Sequence, residues 1–156
     1  MSRNEIKDLL SKCKVIAIVG LSNDPLKYSF SVGAYLKKHG IRIIPVNPFV
    51  KEVLGEKSYN RLLDIPTEIQ KTIDIVDIFR KSEEVPLIVQ QAIELKRKVG
   101  RPIMVWMQEG VSNKSAADMA EQAGLNVLMD VCLMKAYMQL GAAKQQRYNS
   151  SDYNDS

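Results

Sequence analysis

The run "KVIAIVG", residues 14–20, constrains the fold more than any other stretch. It is rich in β-branched apolar residues and ends at a glycine, the pattern of a buried strand. Similar runs recur in "IRIIPVNP", "IDIVDIF", "PIMVWM" and "NVLMD". Between them the apolar spacing becomes helical. Val32, Tyr35, Leu36 and His39 share one face ahead of Gly40. Val85, Val89, Ala92, Lys96 and Val99 mark another, opened by Ser82, Glu83, Glu84 and Pro86 and stopped by Gly100. Ala116, Met119, Ala120 and Ala123 form a third face before Gly124, and Leu133, Ala136, Tyr137 and Leu140 a closing one. A short amphipathic helix is expected over Arg3–Lys12.

Residues 49–72 are less regular, with a short strand expected near Lys57–Tyr59 and a turn or short helix around Pro66–Gln70. Strand and helix still alternate at least four times along the chain. Parallel strands need crossovers, and right-handed crossovers place helices on both faces of the sheet. The expected fold is therefore α/β, a single-domain, doubly wound and mainly parallel sheet over residues 1–142. Residues 143–156 are polar, lack apolar periodicity and are expected to be a disordered tail.

The chain has 156 residues, 46% hydrophobic and 26% charged, which is ordinary for a soluble globular domain. Its apolar runs fall far short of the roughly 20 residues that span a bilayer. The N-terminus has no signal-peptide core, so a cytoplasmic protein with no membrane partner is expected. Cys13 and Cys132 are too far apart in sequence for a CxxC pair and read as reduced, buried thiols. A net charge of +4 without a basic block suits an anionic small molecule better than nucleic acid.

In an open α/β sheet, ligands bind beyond the carboxyl ends of the strands, where the connection order reverses. The first strand–helix loop contains Gly20, Leu21, Ser22, Asn23, Lys27, Tyr28 and Ser29. A glycine there lets a phosphate approach the backbone. The hydroxyl and amide side chains add donors, Lys27 adds a positive charge, and the next helix offers free N–H groups. A pyrophosphate suits this set, and the alternative is a solvated turn with no ligand.

The dinucleotide fingerprint G-x-G-x-x-G is not met, because Ser22 and Pro25 stand where its second and third glycines belong. The acidic residue that would hold the ribose of NAD is absent from the end of the second strand, which reads "PVNP", and the next charge is Lys51. A lysine there favours a phosphorylated ribose, as in NADP or coenzyme A, over a free diol. The P-loop pattern G-x-x-x-x-G-K-[ST] is also missing.

Taken in order, "GLSNDPLKYSFSVGAYLKKHGIRIIPVNP", "DIVDIFR", "VWMQEGV" and "AEQAGLNVLMDVC" resemble the small stand-alone CoA-binding proteins of the Rossmann type. These are similar to the CoA-binding domain of the succinyl-CoA synthetase alpha subunit and of NDP-forming acyl-CoA synthetases. The resemblance runs from about Lys14 to Gly141. It implies coenzyme A, or an acyl-CoA, across the carboxyl edge of the sheet. The pyrophosphate would lie on Gly20–Ser29, the adenosine beside Val46, Asn47 and Pro48, and the 3′-phosphate near Lys51. Phe79 and Arg80 would line the same cleft, and Gln108 and Gly110 would lie near the pantetheine. Asp130 and Cys132 match a D-x-C pattern of the family.

In the full synthetases a histidine carries a phosphoryl group, but it belongs to a second domain. The lone histidine here, His39, closes a helix beside Gly40, where a cation is favoured for structural reasons. The nucleotide-grasp domain has no counterpart, so no catalysis by this chain alone is expected. One histidine and two distant cysteines leave zinc without a ligand set. Asp77, Glu109 and Asp130 lie near strand ends and could act as acid or base, but carboxylates at that edge more often cap the following helix or bind water. A homo-oligomer or protein partner is compatible with the sequence. The alternatives are an NAD(P)-dependent oxidoreductase with an atypical fingerprint and an interaction protein that has lost its ligand.

Overall fold

A computed structural model describes residues 1–141, and the tail expected at 143–156 lies outside the described residues. Helix α1, Arg3–Lys12, precedes strand β1, Val15–Val19, and helix α2, Tyr28–Lys38, leads to β2, Arg42–Val46. A hairpin of β3, Glu52–Val53, and β4, Glu56–Lys57, follows. Then come α3 (Thr67–Gln70), β5 (Ile75–Ile78), α4 (Val85–Val99), β6 (Met104–Met107), α5 (Lys114–Gln122) and β7 (Asn126–Leu128). Residues 133–141 form α6.

Five strands make one sheet in the order β2-β1-β5-β6-β7, and every pairing in it is parallel. β1, β2, β5 and β6 are buried at almost every position, because helices cover both faces. On one face Ala17, Val76 and Val105 pack with Val89, Ala92, Ala116 and Ala120 of α4 and α5. On the other, Ile16, Ile18, Ile75 and Trp106 pack with Leu10 of α1, Val32 and Leu36 of α2, and Leu133 of α6. Each large aliphatic or aromatic side chain so buried contributes about 1.5–3 kcal/mol. The expected doubly wound architecture is the one observed.

Local departures have local reasons. The strand expected near Lys57–Tyr59 begins at Glu56 and pairs with β3, while Tyr59 bridges in parallel to Val46 at the sheet edge. The buried face of α4 contains Ile93 and Leu95, whereas Lys96 is only half-buried. Gly100 closes α4 in the left-handed region, at φ 78°.

The order reverses between β1 and β5, whose following helices lie on opposite faces of the sheet. The loops after these two strands therefore part and leave a crevice at the carboxyl edge.

Candidate functional site

Gly20 ends β1 with φ 86°, a region costly for any residue with a Cβ. An added Cβ would stand 2.3 Å from the Phe79 carbonyl oxygen and 2.9 Å from Arg80 Cδ. The glycine is thus required by the close approach of the loop after β5, a reason the sequence alone does not show. Gly33 serves the helix: a Cβ there would meet Leu21 Cδ1 at 3.0 Å.

Between Gly20 and α2 the loop is held by its own short side chains. Ser22 N–H donates to Ser29 Oγ (3.0 Å), and Ser22 Oγ accepts from Asp24 N–H (3.0 Å). Asp24 Oδ1 accepts from Leu26 N–H at 2.9 Å. Ser22 and Ser29 therefore shape the loop. Asn23 and Lys27 are exposed, and Lys27 occupies the cap position of α2 without a side-chain bond to the helix. The first turn of α2 also has no acidic residue. This helix start has an open positive end beside an exposed lysine.

Asn47 is buried and faces the scaffold. Its Nδ2 donates to the Leu21 carbonyl (3.0 Å), its Oδ1 accepts from Phe49 N–H (2.9 Å), and its own carbonyl accepts from Ser58 Oγ (3.0 Å). It ties the loop after β2 to the loop after β1. Pro48 is exposed, and Lys51 stands exposed just before β3.

Gly20, Val46, Pro48 and Arg80 converge on a cavity of about 270 Å³. Arg61, Leu87 and Gln91 also line it, and the sequence does not single them out. The available signal was Leu87, an apolar residue in the first turn of α4 that misses the buried face and is 66% exposed. Leu26 and Phe49, also highly exposed, follow prolines in the two neighbouring loops. Arg80 Nε donates to Glu84 Oε2 at 2.8 Å, and the guanidinium holds Glu84 below the usual carboxylate range. Arg61 is paired likewise with Asp64 at 2.9 Å, which lowers that carboxylate.

Across the crevice Tyr28 packs edge-on against Phe79, with ring centroids 6.4 Å apart. Its hydroxyl lies 2.6 Å from Cys132 Sγ, and burial with this thiol contact pushes the phenol up to about 12. Gln108 is buried below this edge, where its Nε2 donates to both oxygens of Asp77 (3.0 and 2.9 Å). Burial pushes the Asp77 carboxyl up to about 8, against the opposing effect of the Gln108 bond. Gly110 N–H donates to Asp130 Oδ1 at 2.6 Å, with Asp130 itself at φ 58°. Asp130 of the D-x-C pattern therefore pins the loop after β6 to the loop after β7.

Four edge carboxylates are engaged: Asp77 by Gln108, Glu84 by Arg80, Glu109 by Lys135 and Asp130 by Gly110 N–H. His39 is exposed at the far end of α2, its Nδ1 2.8 Å from the Tyr35 carbonyl. Among the described residues no group of three or more His, Cys, Asp or Glu could hold a metal ion. Both cysteines are free, and burial raises the Cys13 thiol to about 12.

A parallel five-stranded sheet with helices on both faces and its crevice at the β1–β5 reversal defines a Rossmann-like α/β class of domain. The profile of the CoA binding domain family matches residues 14–138, and the chain belongs to that family. It is 38% identical to the protein YneT of Bacillus subtilis (strain 168) over 87% of this chain and 94% of that one. A solved hypothetical protein of Pyrococcus horikoshii OT3 superposes with a TM-score of 0.81 at 35% identity, covering 90% of this chain and 92% of that one. The alpha subunit of the ADP-forming acetate–CoA ligase II of Pyrococcus furiosus is 40% identical over 62 residues. That match spans 39% of this chain and 14% of the subunit.

Proposed function

We propose that the chain binds coenzyme A or an acyl-CoA across the carboxyl edge and performs no catalysis of its own. One observation carries this reading: the open start of α2, with Lys27 beside it, lies at the β1–β5 crevice of a chain in the CoA binding domain family. The pyrophosphate sits on Gly20–Ser29, drawn by Lys27 and by the N–H groups of the first turn of α2. The adenosine enters the cavity between Pro48, Arg80 and Leu87, with Lys51 at its phosphorylated ribose. Exposed Leu26 and Phe49 offer the base apolar cover. The pantetheine arm runs toward Tyr28 and Gln108.

The engagement of the edge carboxylates with scaffold partners supports a binding role over acid–base chemistry. No helix among the described residues is long and apolar enough to cross a membrane. The reading places the protein in the cytoplasm with its two thiols reduced.

The test is thermal denaturation with 1 mM coenzyme A, acetyl-CoA, NAD, NADP or ATP. A ligand present at about 100 times its Kd adds about 2.7 kcal/mol. For a domain of this size that raises the melting temperature by about 5–10 °C. Stabilisation by CoA or acetyl-CoA is expected. No response to either would overturn the reading, and a response to NAD alone would return the domain to nicotinamide chemistry.

A further inference from the structure

A second cavity, of about 450 Å³, lies between α1 and α6 on the sheet face that carries Trp106. It shares no lining residue with the cavity at the carboxyl edge. Trp106 of β6 and Leu128 of the edge strand β7 line it from the sheet. Ile6 and Leu10 line it from α1, and Ala136 and Leu140 from α6. The two helices are joined where the Tyr137 hydroxyl donates to the Leu10 carbonyl at 3.2 Å. Ile6, Leu128, Val131 and Leu140 line the cavity and are only half-buried, so folding leaves apolar surface here that a ligand can still cover.

The same wall of α1 carries two cations. Arg3, Ile6, Lys7 and Leu10 follow the spacing of one helix face, and all four line the cavity. Arg3 and Lys7 are exposed and form no ion pair among the described residues. One turn apart, they repel each other, and both lie toward the positive end of the α1 dipole. Among the described residues no carboxylate lines the cavity to offset them. Its other polar lining residue, Gln139, carries an amide that can donate to an oxygen. Sites for small ligands have this make-up, mostly apolar with a few polar groups, in volumes from about 300 Å³ upward. An alkyl chain with one anionic head is complementary to it.

We propose that this cavity binds an unbranched fatty carboxylate of medium chain length, about eight to twelve carbons. The alkyl chain lies against Trp106, Leu128 and Val131, and the carboxylate meets Arg3 and Lys7 at the rim. Burial of the chain supplies affinity, and the two cations select the ionised head over a neutral or cationic one. The site is separate from the coenzyme A reading and stands whether or not that reading does.

Trp106 is the sole tryptophan of the chain, so its emission reports on the cavity directly. The full chain is titrated at neutral pH with octanoate and decanoate, each below its micelle concentration. A saturable change in emission is expected. Decanoate should bind about tenfold more tightly than octanoate, because each buried methylene is worth about fourfold. Decanol and decyltrimethylammonium should bind at least about tenfold more weakly than decanoate. Arg3→Gln combined with Lys7→Gln should weaken decanoate about tenfold and leave decanol unchanged. Ala136→Phe, which fills the cavity from α6, should abolish the response. A response that does not saturate, equal affinity for decanoate and decanol, or wild-type affinity in the double variant would overturn the proposal. So would an emission change on dilution alone that tracks dissociation of a dimer, since a second copy of the chain then fills the cavity.

Discussion

The Phe79 carbonyl oxygen lies 2.3 Å from where a Cβ on Gly20 would stand, so the end of β1 meets the loop after β5 with no room for a side chain. Gly20→Ala adds this clash to a left-handed φ of 86°. It should destabilise the protein by about 3 kcal/mol or more, lowering the melting temperature by about 6–12 °C. Urea denaturation measures the first figure and calorimetry the second. Unchanged stability would mean that the two loops separate at no cost.

Asn47 joins two loops through its amide donor and braces its own loop through its amide acceptor. Asn47→Ala should cost about 2 kcal/mol, since it strands the buried Leu21 carbonyl. Asn47→Asp should do no better, although it keeps the bond from Phe49 N–H, because an oxygen then faces that carbonyl. Equal loss in both variants under equilibrium urea unfolding is the expected pattern.

Asp77 gives stability a downward slope with pH. Its carboxyl titrates near 8 when folded, against an ordinary value of 3.8. Between those values the folded chain keeps a proton that the unfolded chain has released, so stability falls as pH rises. The limiting slope from this group is about 1.4 kcal/mol per pH unit, and it vanishes above pH 8. Asp77→Asn holds the pair neutral at every pH and should flatten this contribution in denaturation curves from pH 5 to about pH 8.

The strands were legible because a strand covered on both faces must be apolar throughout, as "VIAIV" is. The helices announced their ends at Gly40, Gly100 and Gly124. The β3–β4 hairpin did not, because its two-residue strands pair Glu52 with Lys57 and bury only Val53. At the site, residue type gave the loop chemistry but not the direction of each side chain. Asn47 and Gln108 read as ligand-facing polar residues, yet both are buried and bonded to the protein. Gly20 reads in the sequence as room for a phosphate, while the crowding around it comes from Phe79 and Arg80. Arg61 and Gln91 reach the cavity from a connection and a helix flank whose positions depend on the folded sheet.

Lys27 and Lys51 form no ion pair among the described residues. Replacing both by Ala should leave the ligand-free melting temperature within about 2 °C. Affinity for coenzyme A should fall by about 10- to 100-fold, with weaker salt dependence than in the wild type, by isothermal titration at two ionic strengths. Equal affinity in the double variant would place the phosphates elsewhere.

Helices α1 and α5 begin with a side chain that closes their own first turn, Ser2 on Glu5 N–H and Asn113 on Ala116 N–H. Helix α2 begins on Lys27, whose side chain makes no such bond. A phosphate oxygen bound there would do the work of the serine or asparagine that this position does not carry. The ligand then becomes the last piece of a secondary-structure element, and the protein's covalent chain is one group short of its own helix.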